Sequence, residues 1–319
     1  MNKMITKLMG MTLVATGVAA GGVALAAGPA EIHIPGTKVF PESFTSSSDG
    51  SIYIGSVGLS QVYRVPPGRD TAEVFIKPGT GGLRQVFGVF AHGRSDTLWV
   101  CSNQISGQLG TPAAVPGQLM SFDLKSGAPK AKYDFTKGGM CNDIAVGGNG
   151  AVYATDTQNM LVMRLPPKGT ALEVWAGNGA FGPAGSVLDG IAVVDGRVIV
   201  NTLATSKLFA IDIKQSGSAG KVDELKLSAP VTRPDGMRAH GKSDVLVTDG
   251  TGKIHRVTIN GNNGQVKTLK EGLDGVVSVA AVGDMGYALE GQLGIMMAGP
   301  GGPPPPAEKP YHAVGFPLK

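Results

Sequence analysis

The chain has 319 residues, 42% of them hydrophobic and 16% charged, with a formal net charge of +4. That balance allows a packed core and excludes a disordered chain, and no Lys/Arg cluster suggests a nucleic-acid or anionic-membrane partner. The 49 Gly and 21 Pro follow no collagen period, and fit many short strands joined by tight turns.

Lys3 and Lys7 precede an apolar run, Leu8 to Leu25, that ends in Ala24-Leu25-Ala26. This is the layout of a secretory signal peptide, residues 1–26, cleaved after Ala26. The Gly, Ala and Thr in the run favour cleavage over a permanent anchor. Loss of its two lysines lowers the charge from +4 to +2. No second long apolar segment follows, so residues 27–319 are expected as one soluble domain, periplasmic or secreted, with no membrane contact after cleavage. In such a compartment a disulfide persists, which bears on Cys101 and Cys141.

From about residue 40 one unit repeats: a loop, a small apolar segment, a turn with Gly and Asp or Asn, then an alternating strand. The alternating strands are 51–56, 97–102, 151–156, 197–202, 244–249 and 285–290. Ile52, Leu98, Val152, Val198, Val245 and Gly286 recur at steps of 46, 54, 46, 47 and 41 residues, the long step carrying a Gly- and Pro-bearing insertion, Gln104–Gly117. Segments 61–65, 160–165 and 253–257 read as third strands, and 72–76, 171–175 and 265–269 as fourth strands. Six units of four strands without helical pattern predict an all-β fold, a six-bladed β-propeller of antiparallel blades. In the last unit the fourth strand is expected from Tyr311–Phe316, beyond the Pro-rich loop Gly299–Pro306. Glu31–Ile34 pairs at its edge to close the ring.

In a propeller the innermost strands line the tunnel, and their first residues share one mouth. Here these are Glu42, Val86 or Phe87, Asn142, Asp189, Asp235 and Asp274. Acid or amide stands in five of the six. Acids converging on a tunnel repel unless neutralised, and a divalent cation with oxygen ligands does this; Ca2+ suits the set best, with Zn2+, Mn2+ and Mg2+ as the other choices. The competing reading is that Asx-Gly pairs are ordinary turns. Asp274 is read that way and Glu42 is not, because Glu is a poor turn former; Asp189 and Asp235 stay open between the two on spacing alone. Cys101, near the outgoing end of a strand in blade two, and Cys141, at the entry of blade three, point to the same mouth. They are either bridged or two free thiols.

The repeat, Pro41-Glu42-Ser43, Asn142-Asp143, Leu188-Asp189-Gly190 and Arg233-Pro-Asp-Gly-Met237 together resemble the SMP-30/gluconolactonase/LRE family over roughly residues 38–318. The resemblance implies one divalent metal held by Glu42, Asp189 and Asp235, with Asn142 beside the metal or on the substrate. It also implies hydrolysis of a lactone or related ester. Asp189 stands where the family has Asn. Met140 stands where it has the Arg that helps bind sugar lactones, and the entry of blade two, Val86-Phe87-Gly88, is apolar. A less polar lactone or ester is therefore expected.

In this reading the metal polarises the carbonyl and activates a water, Asp235 is the general base, and Asn142 orients substrate or donates to the oxyanion. Asp143 and Asp156 are reserve candidates. Arg84 and Arg233, just before inner strands, are either contacts for an anionic substrate or solvated loop residues. Met140 and Phe87 are either cavity walls or ordinary packing. His33, His92, His240, His255 and His312 are read as structural or surface residues. The alternatives are a non-catalytic binding propeller with a structural Ca2+ and a strictosidine-synthase-like lyase, a branch that usually lacks the metal acids.

Overall fold

Each alternating segment is the second strand of a small antiparallel sheet, and six such sheets form a six-bladed β-propeller. The computed structural model describes residues 28–105, 115–136, 138–298 and 304–319. The signal segment, the tip of the Gln104–Gly117 insertion and the start of the Pro-rich loop lie outside the described residues. Among the described residues no helix is long and apolar enough to cross a membrane.

Blade one shows the pattern: Pro41–Ser46 inside, then Ile52–Ser56 and Gln61–Val65, with Glu73–Ile76 outermost. The second strands Ile52–Ser56 and Val152–Asp156 are buried along their whole length, because each blade is covered by a neighbour on both faces. Outer strands such as Pro129–Asp134 are largely exposed. Blade five carries an extra strand, Lys226–Leu227, parallel to its outer strand.

Blade six corrects the expected strand order. Tyr311–Pro317 is its third strand, paired to Met285–Glu290, and the N-terminal Glu31–Ile34 is the fourth. The ring is thus closed by one strand from the N-terminal end of the fold pairing with one from the C-terminal end.

The core lies between blades as much as within them. Tyr153 and Trp175 of blade three (ring centroids 4.8 Å apart) share one apolar cluster with Phe181 and with Phe209 of blade four. Each fully buried side chain of this size contributes roughly 1.5–3 kcal/mol. Blades two and three are also joined covalently: Cys101 and Cys141 form a disulfide with Cα atoms 5.1 Å apart. That bond fixes the residue before Asn142 to the neighbouring blade.

Candidate metal centre and its cavity

Five of the six inner strands begin with a break in register against the second strand. The shifts fall between Pro41 and Ser43, Val86 and Val89, Cys141 and Ile144, Leu188 and Ile191, and Val276 and Ser278. Such a bulge leaves a residue outside the ladder and re-aims its side chain. The residues set free in this way include Glu42, Phe87, Asn142, Asp189 and Val277. In blade five Asp235 does the same by preceding the first paired residue, Met237. All six line one cavity of about 370 Å³ at a single mouth of the tunnel.

The entry glycines explain why Asx-Gly recurs. Gly88, Gly190 and Gly236 do not have positive φ, so they are not turn formers. A Cβ at each would collide with a backbone carbonyl of the next blade, that of Asn142, Asp235 and Val277 respectively. These glycines let the blades approach closely enough for the ring residues to converge. Gly275 is different: its φ is +60°, and the preceding Asp274 is exposed and accepts a bond from Lys309 Nζ at 2.6 Å. Asp274 is a turn residue, and Val277 occupies the sixth place in the ring.

Second-strand side chains then fix each entry to its neighbour. Thr155 Oγ1 accepts from the Asp143 amide at 3.0 Å and donates to the Asp189 carbonyl at 2.6 Å. Asn201 accepts from Gly190 N at 3.1 Å and donates to the Asp235 carbonyl at 2.6 Å. Asn103 holds Cys141 through its amide and carbonyl, at 3.1 and 2.7 Å. Sequence reasoning missed these clamps, although the polar residues Asn103, Thr155, Asn201 and Thr248 closing successive alternating strands were a visible signal.

Glu42, Asp189 and Asp235 each bring a carboxylate oxygen within 4.8 Å of the others. Glu42 and Asp189 are each 7% exposed, whereas Asp235 is half-buried. Burial raises all three pKa values well above the usual carboxylate range. Asp189 and Asp143 raise that of Glu42 further, and Arg238 opposes the rise. Asp235 and then Asp143 add to the rise at Asp189, and Glu42 and then Asp143 to that at Asp235. Glu42 Oε2, Asn142 Oδ1 and Asp189 Oδ1 are buried without a hydrogen-bond partner. Buried oxygens are ordinarily satisfied, so three orphans on one cavity floor match the donor set of a hard divalent cation. The residues fit such an ion.

Phe87 and Met140 line the cavity, as do Arg233 and the residues that the sequence did not suggest: Leu203, Val276, Leu293 and Met297. The short helix Leu293–Met296 supplies part of that apolar wall. Three expected contacts are elsewhere. Arg84 donates to the Pro116 carbonyl at 3.0 Å and is not in the lining. Asp143 is buried in an ion pair with Arg238 at 2.8 Å. Asp156 is buried in its blade, accepting from Met140 N at 3.0 Å and from Asn159. For the two acids a neighbour in sequence faces the cavity instead, Asn142 beside Asp143 and Thr157 beside Asp156. No histidine is among the described lining residues; His255, for instance, bonds Asp249 and Thr268 within blade five.

No family model matches the sequence. No curated protein matches it either. Solved structures do. The major allergen Mala s 1 of Malassezia sympodialis superposes with a TM-score of 0.70 at 14% identity, over 91% of this chain and 96% of its own. A gluconolactonase from Xanthomonas campestris gives 0.61 at 14%, over 87% and 86%. Virginiamycin B lyase from Staphylococcus aureus gives 0.57 at 16%, over 91% and 98%. The chain therefore shares its propeller fold with gluconolactonases of the SMP-30/gluconolactonase/LRE-like group and with other propeller enzymes.

Proposed function

We propose that the protein is an exported, metal-dependent hydrolase for a lactone or ester of low polarity. The observation that carries this reading is the convergence of Glu42, Asp189 and Asp235 on the floor of a largely apolar cavity, where one oxygen each of Glu42, Asp189 and Asn142 is buried without a hydrogen-bond partner. Glu42, Asp189, Asp235 and Asn142 would hold the cation. The all-oxygen set suits Ca2+ better than Zn2+, which favours nitrogen and sulfur ligands. When bound, the ion polarises a carbonyl and acidifies water.

The protein's own groups have separable tasks in this reading. Asp235 is the one half-buried acid of the three, so it can exchange a proton with the cavity and is assigned the general base. Asn142 orients the carbonyl and offers its amide N–H groups as charge develops on oxygen. Phe87, Met140 and Val277 exclude water and favour an apolar substituent beside the reacting bond. Met140 offers no charge to a sugar hydroxyl array, which supports a less polar substrate. The leader-like N-terminus and the Cys101–Cys141 bridge support export, since disulfides persist outside the cytosol.

Neither alternative has an observation in its favour. A His-to-Ala variant of virginiamycin B lyase is catalytically inactive, whereas no histidine lines the described cavity here. The test is metal analysis of the purified protein, then a lactone and ester panel with and without chelator. Hydrolysis lost on chelation, restored by Ca2+, and abolished in a metal-retaining Asp235→Asn variant supports the proposal. A metal-free protein whose stability is indifferent to Glu42→Gln and Asp235→Asn would sink it. Tight metal binding without turnover of any lactone or ester would leave a binding propeller.

A further inference from the structure

Beyond the acid cluster along the inner strands, the tunnel is crossed by a buried ion pair. Arg238, on the inner strand of blade five, donates through Nη1 to both carboxylate oxygens of Asp143 in blade three, at 2.9 and 2.8 Å. Its Nη2 donates to Ser43 Oγ of blade one at 2.8 Å and to the Val89 carbonyl of blade two at 3.1 Å. Asp143 Oδ2 in turn accepts from the Ile191 amide of blade four at 3.2 Å. Both side chains are under 10% exposed, so the tunnel is filled with protein at this level.

The contacts fall next to the ring residues. Ser43 follows Glu42, Asp143 follows Asn142, Val89 and Ile191 lie two places beyond Phe87 and Asp189, and Arg238 lies three beyond Asp235. One guanidinium–carboxylate pair thus connects five blades at residues one to three places beyond their cavity-facing side chains. The pair is expensive to bury unless it does something for the fold or the site, and the same shape could be filled by apolar residues, as elsewhere in the core. A planar guanidinium can hold four acceptors in fixed directions, which an ammonium cannot.

We infer that Arg238 is a positioning residue: with Asp143 it locks the bulged strand entries in register and so sets the spacing of Glu42, Asn142, Asp189 and Asp235. This rests on the proposed metal-site reading for its consequence, but the locking itself does not need a metal.

The test uses the whole mature protein with two variants. Arg238→Lys keeps the charge and loses the fork. The double variant Asp143→Asn/Arg238→Gln removes both charges together, so that neither is left buried alone if the single variant folds poorly. Hydrogen–deuterium exchange of the chelator-treated protein is followed at residues 41–44, 141–144 and 188–191, and Ca2+ affinity is measured by calorimetry. The expected result is unchanged far-UV circular dichroism and outer-strand exchange, with exchange at the three entries faster by about tenfold or more. Ca2+ binding should weaken by about 10- to 100-fold, as when the supports of metal ligands are removed. Folded variants whose entries exchange within roughly twofold of the parent would overturn the inference. If the parent binds no Ca2+, the metal reading fails and the exchange result still decides this one.

Discussion

The side chain of Asn201 is bonded at once to the amide of Gly190 in its own blade and to the carbonyl of Asp235 in the next, the latter at 2.6 Å. Two members of the acid cluster are therefore positioned by one residue that never faces the cavity. Asn201→Ala should leave a buried N–H and a buried C=O without partners, a loss of about 1–3 kcal/mol each at most. Chemical denaturation should show the loss, and the variant's Ca2+ affinity should fall with it. An unchanged midpoint and affinity would mean that the clamp is redundant.

The adjoining glycine gives a second, steric test. Gly190→Ala drives a methyl into the Asp235 carbonyl and the Asn201 amide, so it should destabilise by about 1–3 kcal/mol. Gly148→Ala is the control, since a Cβ there meets nothing within 4 Å and its φ is not positive. Equal effects of the two substitutions would argue that Gly190 serves backbone freedom, not blade approach.

These positions also show what could be read from sequence and what could not. The blade repeat was legible because a buried second strand needs alternating β-branched and aromatic residues, and Ile52, Leu98, Val152, Val198 and Val245 keep that phase. Of the acids that converge in the structure, Glu42 stood out because Glu is a poor turn former, whereas Asp189 and Asp235 stayed open on spacing alone and were singled out as ligands by the family resemblance. Asp274 shares the Leu-Asp-Gly pattern of Asp189 but, as read from the sequence, is a turn residue: it is exposed and precedes a glycine of positive φ, whereas Asp189 is buried in the ring. Asp143 and Asp156 lie one place off a cavity-facing residue or in a neighbouring strand, and a bulge moves the inward side of a strand by one. Blade six was misordered by one strand because its third strand follows a long Pro-rich segment, which removes the spacing cue.

The Cys101–Cys141 bridge closes a loop of 40 residues of sequence separation, and a cross-link of that span stabilises by about 2–4 kcal/mol. Reduction under native conditions, or Cys101→Ser with Cys141→Ser, should lower the unfolding midpoint accordingly. Because Cys141 adjoins Asn142, the reduced protein should also bind Ca2+ more weakly. Thiol titration of the denatured, unreduced protein should find no free thiol; two thiols would remove the basis of this prediction.

The acid cluster makes the strongest statement about pH. In the unfolded chain, Glu42, Asp189 and Asp235 ionise near pH ~4. In the metal-free fold, burial and their mutual repulsion keep protons on them to higher pH. Between the two ranges the native state therefore binds more protons than the unfolded state, so stability must fall as pH rises through that interval. Below it both states are protonated and the penalty is absent. Each unit by which a pKa is raised corresponds to about 1.4 kcal/mol at pH values above both. A divalent cation displaces those protons and replaces the repulsion with attraction, so its stabilising effect should grow with pH, in line with its tighter binding. Thermal unfolding from pH 4.5 to 8 with chelator should thus show a falling curve, and with Ca2+ a flat or rising one, diverging most at the alkaline end. Glu42→Gln should flatten the chelator curve, because it removes one of the three charges without changing the packing. A chelator curve that rises over this range, with no divergence on adding Ca2+, would mean that the three carboxylates are accommodated by the fold alone.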